Sequence, residues 1–200
     1  MSFRKISGFI LALGLAVTPI AAQAESDNYT FLKAVRDHDT TQITTLVDRQ
    51  PSIIDSKDYN TGDTALHLTT RGRDNAWLAY FLYKRARVDA KNKAGQTPLM
   101  VATQIGWADG AQLLLEGGAD PNITDNSGQT PLIIAVQNRN LQMVRLLVDN
   151  HADPSIKDHI AGRSALDYAG QDGRSSAIVK ILDTAQPVVK KPMMGPVLRR

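Results

Sequence analysis

Four short segments of this 200-residue chain repeat one pattern at a nearly constant spacing. The pattern is Gly, a polar residue, Thr or Ser, Ala or Pro, then Leu, and it begins at Gly62, Gly95, Gly128 and Gly162. The steps between these glycines are 33, 33 and 34 residues. A period of this length indicates one small helical unit stacked on copies of itself. Such a stack presents an extended surface rather than a deep pocket, so the pattern predicts a binding protein.

The first 24 residues have the layout of a secretory signal peptide. Arg4 and Lys5 form a basic start, residues 6–17 are mainly apolar, and Ala22 and Ala24 form a small-x-small ending. The apolar run is shorter than the ~20 residues that a membrane-spanning helix needs. The sequence therefore predicts export and cleavage after Ala24, with no membrane span in the mature chain; an uncleaved membrane anchor is the alternative.

Composition narrows the compartment and the class of partner. The chain has no cysteine, which excludes disulfides and thiolate chemistry; together with the brief signal segment, this favours a bacterial periplasm. The formal net charge is +3, and it falls to −3 once two basic residues of the signal segment and four of residues 184–200 are set aside. A nucleic-acid-binding domain usually carries its basic footprint on the folded part. We therefore expect no nucleic-acid partner.

Each repeating unit is predicted to form two short antiparallel helices. In the third unit Thr97 is placed to cap a helix that starts at Pro98, because threonine accepts hydrogen bonds from free amides there and proline loses none. Gly106 ends that helix, a second helix begins near Trp107, and Gly117 stops it. An extended turn then leads to the next glycine.

Position by position, this unit resembles an ankyrin repeat. The resemblance rests on Gly95-Gln96-Thr97-Pro98-Leu99, Gly106, Leu113 to Asp120 and Asn122, and the fourth unit matches through Thr130-Pro131-Leu132 and Ala152-Asp153. Only the second unit keeps the family's histidine after the motif leucine, at His67. The resemblance implies an all-α solenoid of about five helix-turn-helix repeats with hairpin-like finger loops.

The resemblance also divides the chain. The repeat domain is expected over residues 25–183, with repeats at about 28–58, 59–91, 92–124, 125–158 and 159–183. Residues 184–200 are basic and contain three prolines, so we expect a disordered tail. The outer repeats are interpreted as polar caps, because Lys180 takes the position of Leu113 and Leu146. We further hypothesise that the Trp77 indole fills the space left by the absent side chain at Gly110 in the next repeat.

The sequence offers little for catalysis. The four histidines are His38, His67, His151 and His159, and their spacings match no metal-ligand motif. The recurring aspartates Asp89, Asp120, Asp125, Asp153 and Asp158 are interpreted as turn residues that accept backbone hydrogen bonds. No nucleophile elbow or phosphate loop is present in the sequence. We expect a non-enzyme with no catalytic residue, metal site or cofactor.

By resemblance, the partner-binding residues lie on the finger tips and on the exposed ends of the first helices. They are Arg71, Lys93, Gln96, Gln104, Ile105, Trp107, Asn126, Ser127, Gln129, Gln137, Asn138 and Arg163. The transferred finger positions also include Asn60, Thr61, Asp63, Ala94, Ile160 and Ala161. Trp107 and Tyr83 are expected to be exposed aromatic contacts, Trp107 being the stronger candidate hot spot.

Charge suggests how a partner approaches. Residues 71–93 carry seven basic and two acidic side chains, whereas residues 94–153 carry two basic and six acidic ones. We hypothesise that a partner with an acidic patch is steered onto the second repeat, towards Arg71 and Lys93. Simple solvation of both regions is the alternative.

The resemblance implies a periplasmic protein-protein interaction module that is a monomer when alone. It would act as an inhibitor, an immunity-type protector or an accessory factor of another envelope protein. A cell-wall hydrolase or a detoxifying enzyme such as a catalase is a possible target. The alternatives are an enzyme with a metal or carboxylate pair on a loop, and a structural tether that holds the cell wall through the basic tail.

Overall fold

A computed structural model describes residues 20–171 and 176–184 of the chain. Ten α-helices follow one another over this part: α1 Ile20–Asp37, α2 Thr40–Arg49, α3 Ala65–Arg71, α4 Asn75–Tyr83, α5 Pro98–Gln104, α6 Ala108–Glu116, α7 Pro131–Gln137, α8 Leu141–Asp149, α9 Ala165–Gln171 and α10 Ser176–Thr184. A short 3-10 helix, Pro51–Asp55, follows α2. The predicted all-α stack of helix pairs is confirmed.

Consecutive helices pack as five pairs, and the pairs stack in two rows. The first helices of the pairs, α1, α3, α5, α7 and α9, each contact the next first helix in the series. The second helices α4, α6, α8 and α10 form the other row, here called the outer helices. Each pair therefore shields the apolar sides of its neighbours, as a repeat architecture requires.

The repeated Thr-Pro-Leu motif explains how the first helices start and what they bury. The side chains of Thr97 and Thr130 accept hydrogen bonds from the third helical amide, and proline begins both α5 and α7. The motif leucines of the second, third and fourth units are at most 1% exposed. Leu166 of the last unit is 39% exposed because no described repeat follows it.

The interpretation of Lys180 as a charge at the position of Leu113 and Leu146 is wrong. Helix α10 starts 35 residues after α8, so Ile181 takes that position and, like the two leucines, is half-buried against the core. Lys180 is instead equivalent to Gln112 and Arg145, which are exposed as well.

The hypothesis that Trp77 fills the space at Gly110 is wrong. The three atoms nearest to a Cβ built on Gly110 all belong to the indole of Trp107, three residues earlier in the chain. Trp77 instead stacks on Phe81, with ring centroids 5.6 Å apart, within α4.

The ends of the chain lie largely beyond the described residues. Helix α1 begins at Ile20, so the predicted cleavage bond after Ala24 lies inside it, and the rest of the predicted signal peptide falls outside the described part. Apart from Thr184, the last residue of α10, the predicted disordered tail is also outside it. Within the described helices, none combines the length and the apolar character needed to cross a bilayer.

Candidate protein-binding face

Four loops precede helices α3, α5, α7 and α9, and each is organised by one acceptor side chain. We call these loops the fingers and define them as residues 57–63, 91–96, 124–129 and 157–163. The acceptors are Asp58, Asn92, Asp125 and Asp158, each of which takes hydrogen bonds from two or three backbone amides of its own finger. This is the expected behaviour of Asp and Asn in turns.

The turn role predicted for the aspartates is confirmed for most of them. Asp120 accepts from the Asn122 amide and Asp153 from the Ser155 amide, both two residues on. Asp89 differs, because its carboxylate accepts from the Asp120 amide of the next repeat at 3.1 Å. Burial raises the pKa of Asp89 above its ordinary value, against the lowering effect of that amide.

Backbone hydrogen bonds join the fingers into one continuous array. The amide of Lys93 donates to the Thr61 carbonyl at 2.9 Å, that of Asn126 to Ala94 at 3.2 Å, and that of His159 to Ser127 at 2.9 Å. The finger glycines make this approach possible. Gly95 has a φ of +78°, and a Cβ there would overlap the backbone of Asn126.

The finger bases lie next to the ends of the first helices, as predicted. Arg71 Nε contacts Asp63 Oδ2 at 3.2 Å in the second repeat, and Gln129 Nε2 donates to Gln137 Oε1 at 3.2 Å in the fourth. In the fifth repeat Arg163 Nη1 donates to Gln171 Oε1 at 2.8 Å. The same pair of positions, eight residues apart, is thus bridged in three repeats.

These contacts define one surface, which we call the finger face: the four fingers and the C-terminal ends of α3, α5, α7 and α9. Eleven of the twelve predicted binding residues lie on it. The exposed members are Arg71, Lys93, Gln104, Asn126, Gln137, Asn138 and Arg163, and the half-buried ones are Gln96, Ile105, Ser127 and Gln129. Ile105 packs against the core, so only part of its side chain is available.

Two predicted contact residues are buried. Trp107 is only 7% exposed, because its indole folds back over the first turn of α6 onto Gly110. The prediction of an exposed hot spot there is wrong. Asp63 is 3% exposed and is held by Arg71 and by Asn92 Nδ2 at 2.9 Å, so it is not a finger-tip contact. Tyr83 is 81% exposed, as expected, but it lies on an outer helix.

The sequence reasoning missed a pair of exposed tyrosines at the N-terminal end of the finger face. Tyr59 is 90% and Tyr29 is 67% exposed, and both line a groove of about 440 Å³ between α1 and the first finger. The Lys93 ammonium lies 5.2 Å from the centre of the Tyr59 ring. Counting back from the finger glycines pairs Lys93 with Asn60 and passes over Tyr59. Counting from the acceptor identifies it, because Tyr59 follows Asp58 as Lys93 follows Asn92.

The same hydrogen bonds lower the pKa values of two finger carboxylates. The Thr61 amide, with help from the Arg36 guanidinium 2.5 Å away, lowers the pKa of Asp58 to about 2. The Tyr168 hydroxyl, 2.5 Å from Asp158, lowers the pKa of that carboxyl, and three backbone amides add to the effect. Both carboxylates therefore stay ionised and serve as acceptors within the protein.

His67 has a structural role at the start of α3, as the sequence indicated. Its Nδ1 accepts from the Thr64 amide at 3.2 Å, so the proton of the neutral ring is on Nε2, which donates to the Gln96 carbonyl at 2.9 Å. This ring links two repeats. Burial lowers its pKa below the ordinary value of 6.5.

The other three histidines lie in separate loops. His38 Nδ1 is 3.1 Å from Asp74 Oδ2, the His151 carbonyl accepts from Asn122, and His159 is part of the fourth finger. Within residues 20–171 and 176–184, no three His, Asp or Glu side chains come together in a way that could hold a metal ion.

Comparison with known proteins identifies the repeat family that this architecture resembles. A family model described as ankyrin repeats matches the chain in three overlapping copies, over residues 21–125, 66–158 and 108–191. The ankyrin repeat and KH domain-containing protein mask-1 of Caenorhabditis elegans is 41% identical over 66 residues, 33% of this chain and 2% of that protein. The poly [ADP-ribose] polymerase tankyrase of the same organism is 37% identical over 71 residues, 36% of this chain and 3% of that protein. The chain thus spans only a few per cent of the length of these relatives.

Proposed function

This chain belongs to the ankyrin repeat family, and we propose that it is a non-enzymatic module that binds another protein through its finger face. Ankyrin repeats are in general protein-protein interaction domains rather than enzymes. The observation that supports this site is the grouping of eleven candidate residues, drawn from four repeats, on one surface bridged by backbone bonds. A rigid surface of this kind binds without a large ordering cost.

The proposed setting is the periplasm, with another envelope protein as the partner. Support comes from the amino-acid sequence of residues 1–24, which has a basic start, an apolar stretch and a small-x-small ending. The chain would act there as an inhibitor, an immunity-type protector or an accessory factor. Mass spectrometry of the protein from a fractionated cell tests the setting: we expect a periplasmic chain that starts at Glu25, and a cytoplasmic chain with residues 1–24 retained would contradict it.

The binding face is tested with two matched double variants. Gln104→Trp with Gln137→Trp adds neutral bulk to the finger face, and Gln112→Trp with Gln142→Trp adds the same bulk to the outer helices. All four glutamines are exposed. Each protein is immobilised and used to capture partners from envelope extract, which are identified by mass spectrometry.

We expect one partner to be retained by the wild type and by the outer-helix variant and to be lost from the finger-face variant. Steric bulk at the centre of an interface removes contacts that bulk elsewhere leaves intact. Equal retention by both variants would contradict the proposed site.

A further inference from the structure

The acidic side chains of the fingers all point into the protein. Asp63 and Asp158 are buried, and Asp58 and Asp125 are half-buried. The carboxylates of Asp58, Asp125 and Asp158 each accept at least two backbone amides, and Asp63 is held by Arg71 and Asn92. No finger carboxylate is therefore exposed for a partner in the described residues.

The basic side chains of the fingers are the opposite case, because every one of them is exposed. They are Lys57, Lys91, Lys93, Lys157 and Arg163. Lys57 and Lys91 donate to backbone carbonyls of the following finger, at 2.6 and 2.7 Å, and Lys93 lies over the Tyr59 ring. Among the described residues, none of the five forms an ion pair with a carboxylate within 4.0 Å. Their partners are neutral groups, and their side chains remain exposed at the surface.

The formal charges of the fingers nearly cancel, so sequence alone hides this arrangement. Five cations and four carboxylates give a sum of +1 over the four fingers. In the structure the five finger cations are exposed, whereas the four finger carboxylates are buried or half-buried. The exposed cations belong to the first, second and fourth fingers, and the Lys91 ammonium reaches the third finger, where it donates to the Thr124 carbonyl.

We propose that this set of cations, which we call the finger rim, binds a short acidic segment of a polypeptide. The inference rests on the proposed function and names the chemistry of its partner. Carboxylate side chains complement the cations, and complementary charge steers association. The amide side chains of Gln96, Gln104 and Gln129 lie beside the rim and supply the donors and acceptors that a peptide backbone needs.

A long polyanion fits this surface less well than a short acidic peptide. In the third and fourth repeats the outer helices and the turns after them expose four acidic side chains, Asp109, Glu116, Asp120 and Asp149, against the one cation Arg145. The other exposed cations of the outer row, Lys84, Arg85, Arg87 and Lys180, lie in the second and last repeats. A nucleic acid or polysaccharide that extended from the rim over the two middle repeats would meet the acidic side chains, whereas a short peptide would not.

The test compares two quadruple variants that remove the same charge. Lys57, Lys91, Lys93 and Lys157→Gln removes four of the five rim charges, and Lys84, Arg85, Arg145 and Lys180→Gln removes four charges from the outer helices and the turn after α4. The probes are a fluorescent 20-residue peptide of alternating Glu and Ser, the same peptide with Gln for Glu, and heparin. Anisotropy gives each Kd at low and at physiological salt, and circular dichroism confirms that both variants fold.

We expect the Glu peptide to bind the wild type with an affinity that falls as salt rises, and the Gln peptide not to bind. The rim variant should weaken binding at least about tenfold, and the outer-helix variant by less than about twofold. Equal losses in the two variants, no binding of the Glu peptide, or heparin binding as tightly with the same dependence on the rim would overturn the inference.

Capture of the partner by the two sets of variants distinguishes a failure of this inference from a failure of the proposed function. If the finger-face tryptophan variant loses the partner while the rim variant retains it, the binding face stands and the acidic-segment inference fails. If neither variant affects capture, the proposed face itself is wrong.

Discussion

The indole of Trp107 occupies the space in which a side chain at Gly110 would lie. The two residues are the cap position and the third residue of α6, which face each other across the first helical turn. The equivalent caps of α2, α4 and α8 are Asp39, Asp74 and Asn140, whose side chains accept a backbone amide. In α6 packing of an aromatic ring takes the place of that hydrogen bond.

This contact predicts that Gly110→Ala destabilises the protein although alanine favours helix. The added methyl group forces the buried indole to move, and overpacking of this kind costs ~1–3 kcal/mol, more than the gain in helix propensity. Urea unfolding followed by circular dichroism measures the change in the free energy of unfolding.

Gly170→Ala is the matched control. Gly170 also lies in a helix, α9, but a Cβ there meets nothing within 4 Å. Its replacement should be neutral or stabilising by up to ~1 kcal/mol. In the double variant Trp107→Leu, Gly110→Ala the two costs should be less than additive by at least ~1 kcal/mol. Identical effects at the two glycines would rule out the packing explanation.

His67 predicts a pH dependence of stability. Burial lowers its pKa in the folded protein, so the unfolded chain binds the proton at a higher pH than the folded chain does. The contribution of the neutral ring is therefore complete above the ordinary value of 6.5 and is lost as the pH falls through the folded pKa. The slope reaches at most ~1.4 kcal/mol per pH unit.

Urea unfolding between pH 7.5 and 5.5 measures this slope. His67→Gln should be less stable at pH 7.5, since it loses the bond to the Gln96 carbonyl, but its stability should change less between these pH values. The carboxylates Asp58 and Asp158 do not interfere, because their pKa values are lowered from 3.8. The same slope in both proteins would show that another group is responsible.

The hydrogen bond between Asn92 and Asp63 predicts that one substitution creates a repulsion between two carboxylates and that a second substitution removes it. It is the only amide among the four finger acceptors, and its Nδ2 donates to the buried Asp63 carboxylate at 2.9 Å. Asn92→Asp would place two carboxylates at this distance, at a cost of ~1–3 kcal/mol.

Adding Asp63→Asn should restore most of that stability, because one donor and one acceptor again face each other. The cost of Asn92→Asp should also shrink as the pH falls, because a proton shared by the two carboxylates removes their repulsion. Thermal unfolding of the two single variants and the double variant gives the coupling; purely additive effects would refute the contact.

The sequence predicted the architecture because period, capping residues and motif agree. Thr97 and Pro98 start α5 where expected, and Glu116 ends α6 just before Gly117. Capping and helix-ending residues act on the few backbone residues next to them. Their effect can therefore be predicted from the sequence alone.

The alignment of the repeats could not predict the direction in which individual side chains point. Equivalent positions in neighbouring repeats suggested that Trp77 meets Gly110, but the contact comes from Trp107 within the same helix. The inward orientation of Asp63 was likewise hidden, since it depends on Asn92 in the next repeat. Both cases concern contacts decided by side-chain geometry rather than by period.

Hydrogen exchange of the chain with and without its captured partner tests the central claim most directly. If the finger face binds, amides of residues 59–63, 93–96, 126–129 and 160–163 and those at the ends of α3, α5 and α7 should exchange more slowly in the complex. Exchange on the outer helices α4, α6 and α8 should stay unchanged. Protection confined to those outer helices, with the fingers unaffected, would contradict the account.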